Sequence, residues 1–475
     1  MYWCPSKWKC GACAWLLCVG LVSWGEVAGQ GLREILDAAY RHNPALDAAR
    51  AGFQASAERL PQARAEYLPS VGVAATQRFS RTVQHTRPMK DGQSTIKDLD
   101  ESQQPSSVSL SMRVNLFNGG ASLAAVHAAE AEVAAARWDL DATEQEVLFR
   151  TTEAYATVVL GQRLVALAEE ARGELEQLRQ WVDEMFRHRQ TTATYVAAVR
   201  SRQAGARSDL AVAQARLAGG RARLESLAGI AVGRLEVWPE LPEVPATLDG
   251  AVSAALDANP GLARSQYTLA AVEQEVRRRK AELWPRIDLQ AGFDLEWNSA
   301  RFTGSDDYKE FDRESNWNVG LTLQLPLFSG GRNLSRIREA QYAAAQSRGQ
   351  LHDTRARLRA AVMERWGALD AARRSVAARA DQVAAAEAAY RGYRRQFEAG
   401  TGTTFQDILN AHYEWIQAKQ ALAQARHEAF TTQAELLTVI GWFDARRLDL
   451  GPAPFDLEDH AASARNRIQA AETSR

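Results

Sequence analysis

Beyond residue 18 the chain has no cysteine; Cys4, Cys10, Cys13 and Cys18 are all it carries. Disulfide frameworks and thiolate metal centres are thereby excluded from everything after residue 18. A dominant charge is lacking too. With 57 Lys+Arg against 58 Asp+Glu, nothing draws the chain as a whole to nucleic acid or to an anionic surface. Past the N-terminal segment no apolar run is long enough for a membrane-spanning helix, so a bilayer would have to be entered by strands. Catalytic constellations are missing: there is no Walker A, GxSxG or HExxH pattern. Ser94 to Lys97 (STIK) has an SxxK spacing, but it lies in a polar, glycine-containing stretch without the strand and helix that such a nucleophile needs. The eight histidines are scattered. The sequence supports no enzyme, cofactor or metal site.

The N-terminal segment has its own logic. Lys7 and Lys9 precede an apolar run, GACAWLLCVGLVSW, and VAG at 27–29 supplies small residues for cleavage. Residues 1–29 read as a secretory signal peptide, whose removal would leave Gln30 near the new N-terminus and discard CGAC at 10–13. No cysteine sits where lipoprotein acylation would need one.

Proline is absent from 106 to 238 and from 327 to 451. Interior proline costs a helix about 3 kcal/mol, so these gaps permit very long helices. In the first gap a seven-residue series runs Val126, Val133, Leu140, Val147, Ala154, Gly161, Ala168, Leu175, Val182. Its companion, three residues on, runs from Ala129 through Ala136, Thr143, Arg150, Thr157, Leu164, Ala171 and Leu178 to Met185. That is a coiled-coil seam with small residues for close helix approach. A helix from 119 to about 185 would be on the order of 100 Å long, and a second, about 193–228, could fold back along it. In the second gap the pattern is weaker: Ile337, Ala344, Leu351, Leu358, with Ala340, Ser347, Thr354, Ala361.

The two gaps belong to a duplication. Asn43-Pro44 recurs as Asn259-Pro260, and AEYLPSV (65–71) as AELWPRI (281–287), both at an offset of 216. VNLFNGG (114–120) recurs as LPLFSGG (325–331) at 211. The chain divides into a first repeat, 30–247, a second, 248–455, and a tail, 456–475. Each repeat opens with a helix and ends in long helices, about 119–228 and about 330–440.

Between lie strands of about 69–81, 107–117, 286–297 and 316–327. Each alternates with period 2. Val108, Leu110, Met112, Val114 and Leu116 oppose Ser107, Ser109, Ser111, Arg113 and Asn115. Such alternation over roughly 9–11 residues suits a transmembrane β-strand. Tyr67, Trp284, Phe117 and Phe328 mark one end of the strands, and Phe79, Trp297 and Trp317 the other, as interfacial aromatics would. Pro69 and Pro285 stand where a helix must give way to a strand; Gly119-Gly120 and Gly330-Gly331 stand where a strand must turn into a helix. The polar stretches 82–106 and 298–316 are expected as outward-facing loops. Four strands cannot close a barrel. Two chains would give eight, a size filled by side chains, and three give twelve, with room for a lumen.

NPAL (43–46), EYLPSV and ELWPRI, both F-x-G-G elements and FEAGTGTTFQDILNA (397–411) occur in an order that resembles the TolC-like outer membrane factors, the channel-tunnel family of type I secretion and drug efflux. The resemblance covers nearly all of the chain after residue 29. It implies an α+β fold: a transmembrane β-barrel shared by three chains and continued by a periplasmic α-helical, coiled-coil barrel. It implies a passive duct in a Gram-negative outer membrane, a homotrimer in contact with lipid. The partners would be a periplasmic adaptor and an inner-membrane ABC or proton-driven pump, with no nucleic acid and no cofactor. Type I protein secretion is the leading expectation, small-molecule efflux the alternative, and a periplasmic coiled-coil scaffold a third. The two distal turns would form the entrance and adaptor contact, with Arg187, His188 and Arg189 in the first and Phe397, Gly400, Gly402, Asp407 and Asn410 in the second. Where relatives often lock the entrance with a tyrosine and an arginine, this chain has Phe397 and Gly402. Asp407 is open to two readings, a carboxylate ring in the lumen or the cap of the last helix.

Overall fold

The computed structural model describes residues 30–451 except 87–88, 91–92, 95–96 and 304–307. The segment read as a signal peptide, the tail 456–475 and part of the Ser94–Lys97 match lie outside the described residues. The first repeat contains α1 (Leu32–His42), α2 (Pro44–Ala57), α3 (Arg59–Ala65), β1 (Ser70–Gln77), β2 (Ser80–Thr86), β3 (Met89–Lys90), β4 (Gln93–Ser94), β5 (Lys97–Gln103), β6 (Ser106–Phe117), α4 (Ala121–Arg187) and α5 (Ala193–Ala228). The second contains α6 (Leu248–Ala258), α7 (Pro260–Ala281), β7 (Arg286–Thr303), β8 (Tyr308–Gln324), α8 (Arg332–Glu398) and α9 (Phe405–Ile440). The long helices are 67 and 36 residues in both repeats. No described helix is long and apolar enough to cross a membrane.

The seam of α4 packs as its spacing predicts. All members of the Val126–Val182 series are buried except half-buried Val133. Gly161 shows why small residues recur there: a Cβ would stand 3.2 Å from Leu217 of α5. The companion series departs from expectation at mid-helix, where Arg150 and Thr157 are exposed and Leu148, Thr151, Tyr155 and Val158 are buried instead. Here α1 and the segments after α5 and α9 wrap α4, so burial follows that collar rather than a single seam. Tyr155, fully buried, donates its hydroxyl proton to Glu236 O at 2.9 Å.

The repeated Asn-Pro is a two-way fastener. Asn43 and Asn259 cap α2 and α7 by accepting from Ala45 N and Leu262 N, each at 2.9 Å. Their Nδ2 atoms donate to Leu227 O of α5 and Val439 O of α9, at 3.0 and 2.9 Å. Each returning long helix is thereby tied to the start of its own repeat.

Six strands form one antiparallel sheet of four columns, β1 with its continuation β2, β6 with β5, then β7 and β8, while β3 and β4 pair with each other in a separate ribbon. Register fixes the faces. Val73 pairs with Leu110, Leu110 with Phe293, and Phe293 with Trp317; Met112 pairs with Ala291 and Ala291 with Val319. Side chains alternate, so apolar sets from both repeats lie on one face, and Ser109, Arg113, Asp288 and Asp294 lie on the other. The stretches expected as loops, 82–106 and 298–316, are largely strand. Their apolar alternation has gone because both faces there are polar, while backbone pairing persists. Two ends differ from expectation as well. Leu116 is the extra residue of a bulge, leaving Phe117 opposite Ile287. In the second repeat β8 stops at Gln324, because Pro326 cannot donate to a ladder, so Phe328 lies beyond the strand.

Candidate functional site

At the sheet's helical end the repeated junctions converge. Gly119 and Gly120 have φ of +68° and +87°, and Gly330 and Gly331 +62° and +81°. The turns are left-handed in both repeats, which only glycine adopts freely. The small polar residue before each pair caps the helix that follows. Asn118 Oδ1 accepts from Ser122 N at 3.3 Å, and Ser329 Oγ from Asn333 N at 3.4 Å. Around Gly119 the fit is tight: an added Cβ would come within 2.5 Å of Trp284 Cβ and 2.7 Å of Ala281 O. Around Gly330 and Gly331 no described residue lies within 4 Å of an added Cβ. Trp284 follows a turn closed by its own N–H to Ala281 O, and Pro285 then starts the extended chain; Leu68 bonded to Ala65 O and Pro69 repeat the arrangement.

On the polar face beside this junction is a cavity of about 600 Å³ lined by Arg113, Arg278, Arg286, Glu66, Glu282 and Asp288 among others. Asp288 accepts from Asn115 Nδ2 at 3.2 Å and from Arg286 Nε at 2.8 Å. The wall mixes polar and apolar side chains and is balanced in charge. The expected interfacial aromatics Tyr67, Phe79, Phe117, Trp284, Trp317 and Phe328 are exposed, Trp317 at 76 %, whereas Trp297 is half-buried.

At the far end are the two hairpin turns. Gly400, at φ +71°, donates to Phe397 O at 3.1 Å, and Thr401 donates to Gln396 O at 3.1 Å. The first turn, which lacks glycine, makes the same bonds through Arg189 at φ +56°, with Arg189 N to Phe186 O at 3.0 Å and Gln190 N to Met185 O at 2.8 Å. Arg187 and His188 are both tied to Glu184 on their own helix. Gly402 adds a second positive φ, +83°, which brings Thr404 to the start of α9. There Asp407 Oδ2 accepts from Thr404 N at 2.8 Å and from Thr404 Oγ1 at 2.6 Å, and Asp407 N donates to Thr404 Oγ1 at 3.3 Å. These bonds to Thr404 hold the Asp407 carboxyl below its ordinary range. Of its two readings the cap is the one whose bonds are present. Phe397 packs edge-on against Trp181 and Phe405, at 5.2 and 5.9 Å between centroids, as part of a buried aromatic cluster. Asn410 accepts from Gln406 Nε2 at 3.1 Å and from Arg202 at 3.4 Å.

Sequence reading missed Gly229 and Gly441, which end α5 and α9 at φ +71° and +88°. A Cβ on Gly441 would meet Ala258 O at 2.4 Å, and one on Gly229 His42 Cβ at 3.0 Å. Their spacing, 212 residues, matches the other repeated anchors and could have revealed them.

The family model for "Outer membrane efflux protein" matches residues 35–230 and again 251–442, one match per repeat. The outer membrane efflux protein BepC of Brucella suis biovar 1 (strain 1330) is 26% identical over 453 residues, covering 95% of this chain and 94% of that protein. The alkaline protease secretion protein AprF of Pseudomonas aeruginosa is 26% identical over 317 residues, covering 66% of this chain and 64% of that protein. Among solved structures, the CusC channel superposes with a TM-score of 0.73 at 17% identity, over 87% of this chain and 92% of that one, a likeness of fold. With both repeats matched, the chain belongs to the outer membrane efflux protein family and is an outer-membrane channel-tunnel protein, not an enzyme.

Proposed function

We propose that three copies of this chain close into a passive export duct, which a periplasmic adaptor joins to an inner-membrane pump. The observation that carries this reading is a sheet with one apolar face across all four columns and, among the described residues, no strand paired to the outer edges of β1 and β8. Open edges cannot stand in lipid, and twelve strands are enough for a lumen. The glycine junctions support it. Gly330 stands open where Gly119 is closed by the Ala281–Trp284 turn, so a neighbour's Ala65–Leu68 turn, the repeat's counterpart, is the natural occupant. The distal turns with Arg187, His188, Arg189, Phe397, Gly400, Gly402, Asp407 and Asn410 would form the entrance and meet the adaptor.

The cargo follows from the kind of pump. A polypeptide driven by an ABC pump is our first reading, supported by the likeness to AprF, a protease secretion protein. Small-molecule efflux is the second, favoured by the near full-length likeness to BepC, an efflux protein. Deleting the gene separates them. Loss of a secreted polypeptide with unchanged drug tolerance supports the first; sensitivity to toxic small molecules with an intact secretome supports the second. Release of the protein from outer membranes by carbonate washing would contradict both.

A further inference from the structure

At the helical end of the sheet, where the tunnel meets the periplasmic leaflet, the two repeats differ in charge. Helix α7 closes on Arg277, Arg278, Arg279 and Lys280. The carboxylates around them are already taken: Glu273 by Arg348, Glu275 by Arg278 and Arg279, and Glu282 by Arg279 and Arg336. Arg277 donates to Gln274 Oε1 at 3.3 Å and has no ion pair among the described residues; neither has Lys280. Both side chains are exposed. In the first repeat the same places hold Pro61 and Arg64, and Arg64 stands 3.8 Å from Glu130 of α4. The uncompensated pair of cations is a feature of the second repeat.

Position decides what this pair can meet. Arg278 and Glu282 line the cavity on the polar face of the sheet, and Lys280 is two residues from each, so it stands across the helix from that cavity. Arg277 lies one turn earlier on the same side. One turn after Lys280 come Leu283 and Trp284, both exposed, Trp284 at 62 %. Pro285 then leads into β7, whose Ile287 and Leu289 belong to the apolar face. Along the chain the order is cation, aromatic, apolar strand, which is the order of headgroup, interface and acyl chain in a bilayer. A helix C-terminus favours basic residues anywhere, but it does not call for exposed apolar side chains beside them. We propose that Arg277 and Lys280 bind the phosphate of an anionic phospholipid of the periplasmic leaflet, whose acyl chains lie along Leu283, Trp284 and the apolar face of β7. The site uses the lipid facing of the sheet and is independent of the cargo.

No cysteine follows residue 18, so a single one can carry a fluorophore. The test labels Leu289→Cys on β7, or its counterpart in the first repeat, Val73→Cys on β1, in the full-length protein reconstituted into phosphatidylcholine vesicles. Quenching is measured with a small, equal fraction of phosphatidylglycerol or phosphatidylcholine brominated in its acyl chains. At Leu289→Cys phosphatidylglycerol should be favoured by about fivefold at low salt, the factor that one basic side chain supplies near a charged headgroup. The preference should shrink as salt screens the charges, and at Val73→Cys the two lipids should quench alike. Arg277→Gln with Lys280→Gln should bring the ratio at Leu289→Cys down to that at Val73→Cys. Arg355→Gln with Arg359→Gln, which removes the same charge roughly 35 Å along α8, should leave it unchanged. Equal quenching by the two lipids at Leu289→Cys overturns the site, as does a ratio that the Arg277 and Lys280 variant leaves unmoved. The same preference at both labels would assign it to surface charge at large, and its loss to added inorganic phosphate at constant ionic strength would assign it to a soluble anion; either result overturns the lipid site. Absence of quenching at both labels by either lipid would contradict the facing of the sheet, and the site with it.

Discussion

Helices α4 and α8 are both 67 residues long, occupy the same place in the two repeats and follow the same glycine turn. Yet α4 buries twenty-two residues and α8 ten. Where α4 has Ala168 in its seam, α8 has exposed Arg379; where α4 has half-buried Glu144, α8 has exposed Arg355. The first hairpin meets its needs inside the chain, against α1, α2, α7 and α9. The second leaves a long face open, as Gly330 leaves its pocket open. Duplication copied the frame; divergence then left one copy packed by the chain's own helices and the other, among the described residues, with a long face exposed.

The largest effects should treat the repeats alike. Leu110→Arg and Leu321→Arg lie on the apolar face of β6 and β8. Each should lose about 2–4 kcal/mol in the membrane and deplete the outer-membrane fraction, while Ser109→Arg and Thr322→Arg should not. Equal depletion by both pairs would contradict this facing.

Glu144 should separate the repeats. Burial pushes its carboxyl from 4.5 up to about 7, opposed in part by the bond from Ala445 N. The folded chain therefore holds a proton through that window that the unfolded chain has lost, so stability falls as pH rises from about 4.5 to about 7. Glu144→Gln should flatten this part of the curve and gain on the order of 2–3 kcal/mol above it, measured by denaturation across pH. Arg355→Gln, at the matching place on α8, should leave it unchanged.

The fasteners should again act alike. Asn43→Ala and Asn259→Ala should each cost about 1–2 kcal/mol, since each removes a cap and leaves a carbonyl unpaired. The turns should respond in opposite directions. Arg189→Gly should stabilise by about 1 kcal/mol and Gly400→Arg destabilise by about as much, because both positions are left-handed and only one has the residue suited to it.

Much of this was legible in sequence. Proline-free gaps marked the helices, and period-2 alternation found the membrane face, because a bilayer demands apolar side chains at alternate positions. Outside the bilayer that demand ends, so the strand continuations of 80–86 and 97–103 looked like loops. The anchors at 43, 119, 259 and 330 were found because repetition exposes them. The contacts that bring Tyr390 and His412 to Glu174 were not, since these residues come from three helices and have no spacing of their own. Asp407 was placed in the sequence, while its bonds to Thr404 had to be seen.

In the trimer proposed above, β8 of one chain pairs with β1 of the next as β6 pairs with β7 within a chain. Met112 pairs with Ala291 inside the chain, and the repeat offsets transfer that pair to Leu323 and Ala75. Directly opposed Cβ atoms in an antiparallel pair lie about 4.5–5.5 Å apart, close enough for a disulfide with slight adjustment. Ala75→Cys with Leu323→Cys, oxidised in outer membranes and run on a non-reducing denaturing gel, should give a ladder ending at three chains, and neither single variant should. Monomer alone from the double variant, in membranes where the protein is inserted and the thiols are oxidised, would contradict it.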